Sequence, residues 1–416
     1  MDVVAELRGC LARALSGMAA RGLLERGPEL SRLAVEPSRD AARADLVTNA
    51  ALAFGPAWTG PGAGQGTRRL AEALAGEIAR EPGVADVAVA GAGFLNVTLA
   101  TRRLAEAAAG VLAGDPVPTL ARPGAVVDVT VAAPGPGPRG PANLDHLRAV
   151  VVGDALGRLL AGTGHGVAVR CAGDRPWDRH GLPWLGVALP WASVAAHQPA
   201  GEAAAARIEV RPGYAGRVSE AAGTIVVPVA RCRLAANTGV PASADGFDAD
   251  AVDALRFALL CRERSSGLDF DPAAARDRSH AGPLFDVGYA HARAVRTLRG
   301  VAGPEADRPS WRDALSRPGL VGDRDRDLLR PVALFPHAVG RAVAEHEPQR
   351  LAGLLRDLAA AVHRQWNRSK DQPQLRFVNE EQRDLTKARQ GLMMASAIVL
   401  KSGLRLFGIA APDEMR

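Results

Sequence analysis

The stretch from Val126 to Leu160 constrains the fold of this 416-residue chain more than any other. Five of the six residues of Val126–Val131 are β-branched, and the segment is long enough for a buried strand and too short for a helix. The Gly- and Pro-rich segment 134–141 then ends regular structure. From Leu144 onward, apolar residues recur every three or four positions, which predicts a helix. A strand, a loop and a helix in this order are typical of a βαβ unit.

We expect the loop and the N-terminus of this helix at the carboxyl edge of a parallel sheet, where phosphorylated ligands usually bind. Two interpretations are open. The helix dipole and side-chain donors hold a nucleotide, or the polar residues cap the helix and His146 lies on the surface. The polar residues at this point are Arg139, Asn143, Asp145, His146 and Arg148.

Composition sets broad limits on the chain. Its length predicts two or three domains, and a net charge of +6 permits a polyanionic partner. The four cysteines have no CxxC spacing, so we expect neither a metal site nor a disulfide. No stretch approaches the ~18 apolar residues of a membrane span, and the first residues do not resemble a signal peptide. We therefore expect a cytoplasmic protein that does not enter membranes.

The first 115 residues predict a small α+β domain. Apolar spacing predicts helices over 2–24, 44–54 and 67–79 and strands over 33–35, 84–89 and 93–99. A tight turn at Ala90–Ala92 joins the last two strands. Further along, 166–171 and 224–234 are strand candidates, and the region between them contains two shorter ones.

The central stretch resembles the signature region of arginyl-tRNA synthetases, a proline followed by His-Val-Gly-His-Leu-Arg and then Gly-Asp-Ala. Asn143 stands at the first signature His, and Asp145 at the small Gly. His146–Arg148 and Gly153–Ala155 match. In the family the Gly lets adenine lie on the backbone, so a carboxylate there adds bulk and negative charge where ATP would bind.

The resemblance extends to both ends of the chain. Asp45–Asn49 and Ala90–Asn96 resemble the family's N-terminal domain, which implies contact with the outer corner of the tRNA over residues 1–115. Residues 347–352 and 403–415 resemble the DALR-type anticodon-binding bundle, which implies an all-α domain over 320–416. Between 321 and 416, 16 Lys and Arg residues stand against 12 Asp and Glu residues.

The middle of the chain, 122–300, resembles a shortened Rossmann-like core of the class I synthetases. About forty residues lie between Leu182 and Thr224 where the family has well over a hundred. The exposed sheet edge must then be covered or paired, and a protein partner that completes the core is one solution. By position, the family's loop lysine falls on Ala236, and Arg233 is the nearest substitute. Residues 300–322 predict a linker.

The resemblance implies specific roles for site residues. Tyr289–Arg293 matches a segment that lies near the tRNA acceptor end and the arginine pocket, although interdomain packing explains it equally well. The implied catalytic residues are Asn143, His146 and Arg233. The implied ATP-binding residues are Arg139, His146, Gly153 and Asp154. The implied arginine and acceptor-end residues are Asp174, Tyr289, His291 and Arg293, and the tRNA-binding residues are Arg350, Arg364, Arg368 and Lys387.

Three functional hypotheses follow for this α/β chain. The first is a protein that binds tRNA, in the family tRNA(Arg), with ATP-dependent arginine activation impaired or lost. The second is an active arginine–tRNA ligase with divergent signatures, using ATP. The third is a structural partner that does not bind RNA.

Overall fold

The computed structural model describes residues 2–122, 124–132, 144–171, 206–213, 215–235, 249–299, 308–377, 379 and 381–415. The chain divides into two compact units, each assembled from three segments. The first comprises Met1–Gly114, Val301–His337 and Gln365–Ala395; the second comprises Asp115–Gly300, Ala338–Arg364 and Ser396–Arg416. Within the described ranges, every helix is too short or too polar to span a lipid bilayer.

The first unit begins with an α+β domain, as predicted. Its elements are α1 (Val3–Ala20), β1 (Val35–Pro37), β2 (Leu46–Thr48), α2 (Ala50–Phe54), α3 (Gly66–Ile78), β3 (Val84–Ala90), β4 (Phe94–Leu99) and α4 (Thr101–Ala113). The four strands form an antiparallel sheet in the order β1-β2-β4-β3. Helix α1 begins at Val3 because the Asp2 carboxylate accepts hydrogen bonds from the backbone N–H groups that follow.

The predicted helix over 44–54 is wrong in its first half. Leu46–Thr48 forms β2, which pairs with β1 on one side and β4 on the other. The Thr48 hydroxyl donates a hydrogen bond to Ala34 O (2.7 Å) and accepts one from Ala50 N (3.2 Å). Strand pairing on both sides therefore overrides the helical spacing of the apolar residues. The strand predicted at 33–35 likewise lies slightly later, at Val35–Pro37.

The turn between β3 and β4 requires glycine. Gly91 and Gly93 have φ angles of 54° and 129°, in a region that other residues rarely adopt. A Cβ atom at Gly93 would also lie 2.6 Å from Thr67 Cγ2. The predicted pair of strands joined by a tight turn is confirmed.

The second unit is built on a five-stranded sheet. Its elements are β5 (Val126–Val131), α5 (Leu144–Gly162), β6 (Gly166–Cys171), β7 (Ala206–Pro212), β8 (Ser219–Ala221), β9 (Thr224–Val229), β10 (Cys232–Leu234), α6 (Ala249–Leu260), β11 (Leu268–Phe270), α7 (Pro272–Ala275) and α8 (Pro283–Arg299). The sheet order is β6-β5-β7-β9-β8, with the first four strands parallel. The predicted strand, helix and strand from Val126 onward are confirmed.

Strand β8 is the edge strand on one side of this sheet. It pairs antiparallel with β9 and consists of three exposed residues. Very short edge strands resist pairing with another chain. The chain itself thus supplies this edge, and a protein partner for the core stays a prediction. Residues 172–205 lie outside the described residues.

Helix α5 packs closely against the sheet. A Cβ atom at Gly153 would lie 2.6 Å from Val131 Cγ2, and one at Gly157 would lie 2.4 Å from Val169 Cγ2. Both glycines therefore allow the helix axis to approach β5 and β6. Nearly every residue of α5 is buried, so the helix is a core element and lacks the polar face of a surface helix.

The C-terminal part of the chain is helical, as predicted. It contains α9 (Arg308–Ser316), α10 (Arg326–Ala344), α11 (Gln349–Asp371) and α12 (Arg383–Leu406). Leu351, Leu355 and Leu358 of the predicted α11 stripe are fully buried. The prediction of a linker over 300–322 is wrong in its second half, where α9 packs on α4 and buries Trp311. Proline is accepted in a first helical turn, so Pro309 does not prevent this helix.

The buried side chain of Asp45 links separate segments of the first unit through hydrogen bonds and ion pairs. Its Oδ2 accepts a hydrogen bond from Leu99 N at 2.8 Å. Arg326 Nη2 also donates to Oδ2, and Arg330 Nε lies 3.5 Å from Oδ1. The two arginines and the backbone N–H offset the lost hydration of the buried carboxylate. They also join the start of α10 to the N-terminal sheet.

We predict that Asp45→Asn lowers the free energy of unfolding of this unit by about 3 kcal/mol, because two partly buried guanidinium groups lose their buried counter-charge. Urea unfolding followed by the fluorescence of Trp58 and Trp311, both buried in this unit, measures the effect. Asp384→Asn removes the exposed partner of Arg317 and serves as the control, with an expected change below about 0.5 kcal/mol. Equal effects of the two variants would contradict the role of Asp45.

Candidate functional site

The candidate nucleotide site lies where β5 ends and α5 begins. Of the residues predicted there, Arg139 and Asn143 lie outside the described residues, and so does Asp174. Asp145 and His146 stand in the first turn of α5. The helix begins directly beside the carboxyl end of the parallel strands, which is the position that the βαβ pattern predicts.

Asp145 is engaged in a structural contact. Its Oδ1 accepts a hydrogen bond of 2.6 Å from the backbone N–H of Cys232. This bond fixes the start of β10 against the first turn of α5. Burial raises the pKa of the Cys232 thiol to about 12, so this cysteine stays protonated near neutral pH and is a poor nucleophile.

His146 lies inside the protein. The residue is only 2% exposed, and burial lowers the pKa of its imidazole to about 4. The ring is therefore neutral at pH 7 and brings no positive charge to a bound phosphate. Contact between this ring and a nucleotide requires a rearrangement of the helix start.

Arg148 is fully buried and donates hydrogen bonds to four backbone carbonyls. Nη1 donates to Ala230 O (3.2 Å) and Ser266 O (2.7 Å). Nη2 donates to Arg262 O (3.3 Å) and Glu263 O (2.7 Å). These carbonyls belong to the segment after β9 and to the turn between α6 and β11. The guanidinium thereby joins α5 to two loops.

Gly153 and Asp154, from the Gly-Asp-Ala part of the signature, also make structural contacts. Gly153 provides the close approach of α5 to β5 described above. The Asp154 Oδ2 atom accepts hydrogen bonds from Arg256 (2.7 Å) and Arg158 (2.9 Å). Arg256 Nη1 also donates to Phe407 O at 3.1 Å. Asp154 thus connects α5 to α6 and to the end of the C-terminal segment.

Arg233, the proposed substitute for the missing lysine, is exposed on β10. Its Nε lies 4.0 Å from Asp269 Oδ1, and both side chains are more than 70% exposed. Such a pair contributes little to stability, so the guanidinium can turn toward a ligand. Ala236, where the family has its lysine, lies outside the described residues.

Three of the four residues predicted around the arginine pocket and acceptor end lie on α8, where they separate into two groups. Arg293 Nη2 donates to Tyr289 Oη (2.9 Å), and the guanidinium carbon lies 4.4 Å from the Tyr289 ring centroid. His291 is buried, and its Nδ1 lies 2.9 Å from Pro412 O. Burial lowers the pKa of His291. His291 thus packs against the C-terminal segment, away from the other two.

Two residues that no sequence motif indicated lie beside Tyr289 and Arg293. His363 of α11 stacks on the Tyr289 ring with centroids 5.7 Å apart, and its Nδ1 lies 3.1 Å from Arg293 Nη1. His280 meets the same ring edge to face at 5.4 Å. Their separation along the chain is too large for any spacing rule to connect them.

The predicted tRNA-binding residues lie on α11 and α12. Arg364 and Arg368 are one helical turn apart, and Arg350 lies about four turns earlier, which puts all three on one side of α11. Arg350 pairs with Glu345, and Arg368 with Asp327. In the part of the chain that the structure describes, neither Arg364 nor Lys387 forms an ion pair, and both are exposed.

Comparisons with known proteins agree with the resemblance seen in the sequence. Residues 5–99 match the family model of the arginyl tRNA synthetase N terminal domain, and residues 287–415 match that of the DALR anticodon binding domain. An arginine–tRNA ligase of Rhizobium meliloti is 43% identical over 174 residues, which are 41% of this chain and 30% of that protein. One from Rhizobium etli is 44% identical over 168 residues, 39% of this chain and 28% of that protein.

The chain thus spans about 30% of the length of the curated relatives it matches. The structural similarity extends further than this sequence similarity. An arginyl-tRNA synthetase of Thermus thermophilus aligns over 99% of this chain and 100% of its own, with a TM-score of 0.63 and 17% identity. One from Plasmodium falciparum aligns over 100% of both chains, with a TM-score of 0.67 and 10% identity. At such identities the similarity concerns the fold alone. The chain is therefore similar to arginyl-tRNA synthetases, with one region that matches the model of their N-terminal domain and one that matches the model of the DALR anticodon binding domain.

Proposed function

We propose that this chain is a tRNA-binding relative of arginyl-tRNA synthetases in which ATP-dependent arginine activation is impaired or lost. One observation carries the proposal. The carboxylate of Asp145 stands where the family has a glycine, and it is hydrogen-bonded to the backbone of Cys232. The family's adenine-binding surface is thereby replaced by an internal contact.

Electrostatics support the loss of activation. The Asp145 carboxylate adds bulk and negative charge where the family's glycine leaves room for adenine. His146 is neutral and buried, and Ala236 supplies no charge where the family has a lysine. Removing one group that stabilises the transition state typically lowers a rate by about 10²- to 10³-fold. The combined loss of rate from several positions is larger than the gain that the exposed Arg233 provides.

The RNA-binding part of the proposal rests on the two terminal domains. Both match family models, whereas the departures concentrate at the nucleotide site. Arg350, Arg364 and Arg368 form a basic side of α11 suited to the sugar–phosphate backbone of an RNA. The RNA expected is tRNA(Arg) of the cytoplasm, by analogy with the ligases that the chain resembles.

Arginine-dependent ATP–pyrophosphate exchange, measured with tRNA(Arg) present, tests the loss of activation. We predict a rate at least about 10³-fold below that of an arginyl-tRNA synthetase assayed alongside, because more than one electrostatic contribution is missing. A rate within tenfold of that enzyme would contradict the proposal and support the active ligase.

Asp145→Gly restores the family residue at one position. We predict that it loses about 1–2 kcal/mol of stability, since the Cys232 N–H loses its acceptor, and that it gains no exchange activity. Asp145→Asn keeps an acceptor oxygen and should unfold at the wild-type temperature. Exchange in Asp145→Gly at the rate of a working synthetase would locate the defect in this one carboxylate and overturn our account of several lost contributions.

Replacing all four predicted tRNA-binding residues, Arg350, Arg364, Arg368 and Lys387, with Ala tests the RNA surface. We predict at least about tenfold weaker binding of tRNA(Arg) in filter binding at 0.1 M salt and a shallower dependence of log K on log salt. The control removes four exposed arginines elsewhere, Arg122, Arg211, Arg217 and Arg299, and should change affinity less than threefold.

Equal losses in the two variants would mean that net charge alone attracts the RNA. Wild-type protein that does not bind tRNA at all would contradict the proposal and favour a structural partner that acts without RNA.

A further inference from the structure

Three side chains of the second unit converge beside Tyr289. His280 precedes α8, Asp286 lies in the first turn of α8, and His363 lies on α11. We call these three residues the His280 cluster. Their nitrogen and carboxylate oxygen atoms all lie within 4.8 Å of one another.

The carboxylate stands at the centre of the cluster. Asp286 Oδ1 lies 2.6 Å from His280 Nδ1 and 3.1 Å from His363 Nε2. The backbone carbonyl of Asp286 adds a further oxygen 3.1 Å from His363 Nε2. Ligand atoms around a tetrahedral zinc ion are roughly 3.4 Å apart, since each bond measures about 2.0–2.2 Å. Small side-chain movements bring these atoms to that spacing.

The surroundings suit an ion that enters from solvent. The His280 side chain is 59% exposed, Asp286 is 23% exposed and His363 is 11% exposed. Phe285 and Tyr289 stack on each other beside the histidines, with ring centroids 5.7 Å apart. One ligand is therefore accessible, and two are held on helices beside aromatic rings.

We propose that the His280 cluster binds one divalent transition-metal ion of the Zn²⁺ type. Two imidazole nitrogens and one carboxylate oxygen are a ligand set that such ions prefer over Mg²⁺ or Ca²⁺. Water or the Asp286 carbonyl supplies the fourth position. The proposal does not depend on tRNA binding or on arginine activation.

Arg293 controls the protonation of this site. Its Nη1 donates toward His363 Nδ1 at 3.1 Å, so in the metal-free protein the His363 proton is on Nε2, where Asp286 accepts it. A metal takes the Nε2 lone pair, and the proton then moves to Nδ1. The Arg293 guanidinium must turn away from His363, while its contact with the Tyr289 ring remains. Metal binding is thus coupled to the position of Arg293.

Calorimetry with Zn²⁺ and visible absorption with Co²⁺ at pH 7 test the proposal on the full chain. We expect saturable one-to-one binding and Co²⁺ bands of tetrahedral intensity. His280→Gln and Asp286→Asn should each weaken binding by at least about tenfold. Arg293→Met should tighten it by about tenfold, because a repelling charge beside His363 is removed.

His165→Gln is the control, since this half-buried histidine lies outside the cluster, and it should leave the affinity unchanged. His280 is exposed, so its replacement leaves the fold intact, and circular dichroism verifies this for each variant. No saturable binding, or binding that His280→Gln and Asp286→Asn leave unchanged, would overturn the proposal. The cluster would then be a hydrogen-bonded contact between α8 and α11.

Discussion

The four hydrogen bonds from buried Arg148 hold the second unit together at its centre. A guanidinium without exposure to water is stable only when its donors are satisfied, and here the acceptors are carbonyls of two separate loops. These bonds set the position of α5 relative to the segment after β9. The placement of Asp145 beside Cys232 depends on that arrangement, and so does the burial of His146.

The same helix illustrates how a nucleotide-site motif can persist as structure. His146, Arg148 and Asp154 match the family pattern, yet each is buried. Asp154 and Arg256 form an ion pair that reaches the C-terminal segment. Replacing such residues would leave buried charges and carbonyls without partners. Packing alone is therefore sufficient to retain these residues, whether or not the chain activates arginine.

Local patterns predicted much of the fold. The β-branched run at Val126–Val131 and the apolar spacing of α11 each depend on neighbouring residues, and both predictions are confirmed. Predictions failed where distant contacts decide the structure. Leu46–Thr48 became a strand through pairing with β1 and β4, and α9 formed inside a segment rich in Pro, Asp and Arg because it buries Trp311 against α4.

The site was less predictable than the fold. Sequence patterns located the helix start, but the partner of Asp145 lies 87 positions away, and one partner of Arg148 lies 118 positions away. The His280 cluster joins residues from two helices and a loop without a regular spacing. Spacing rules work within one helix or one strand, so contacts of this kind become visible only in three dimensions.

We propose that the family's nucleotide surface has become an internal contact in this chain while the terminal domains still bind RNA. Calorimetric titration with a non-hydrolysable arginyl-adenylate analogue, on protein shown to bind tRNA(Arg) in the same buffer, tests this claim most directly. Our account predicts no saturable heat with the analogue. Stoichiometric binding of the analogue, with Asp145 displaced from Cys232 in the complex, would contradict it.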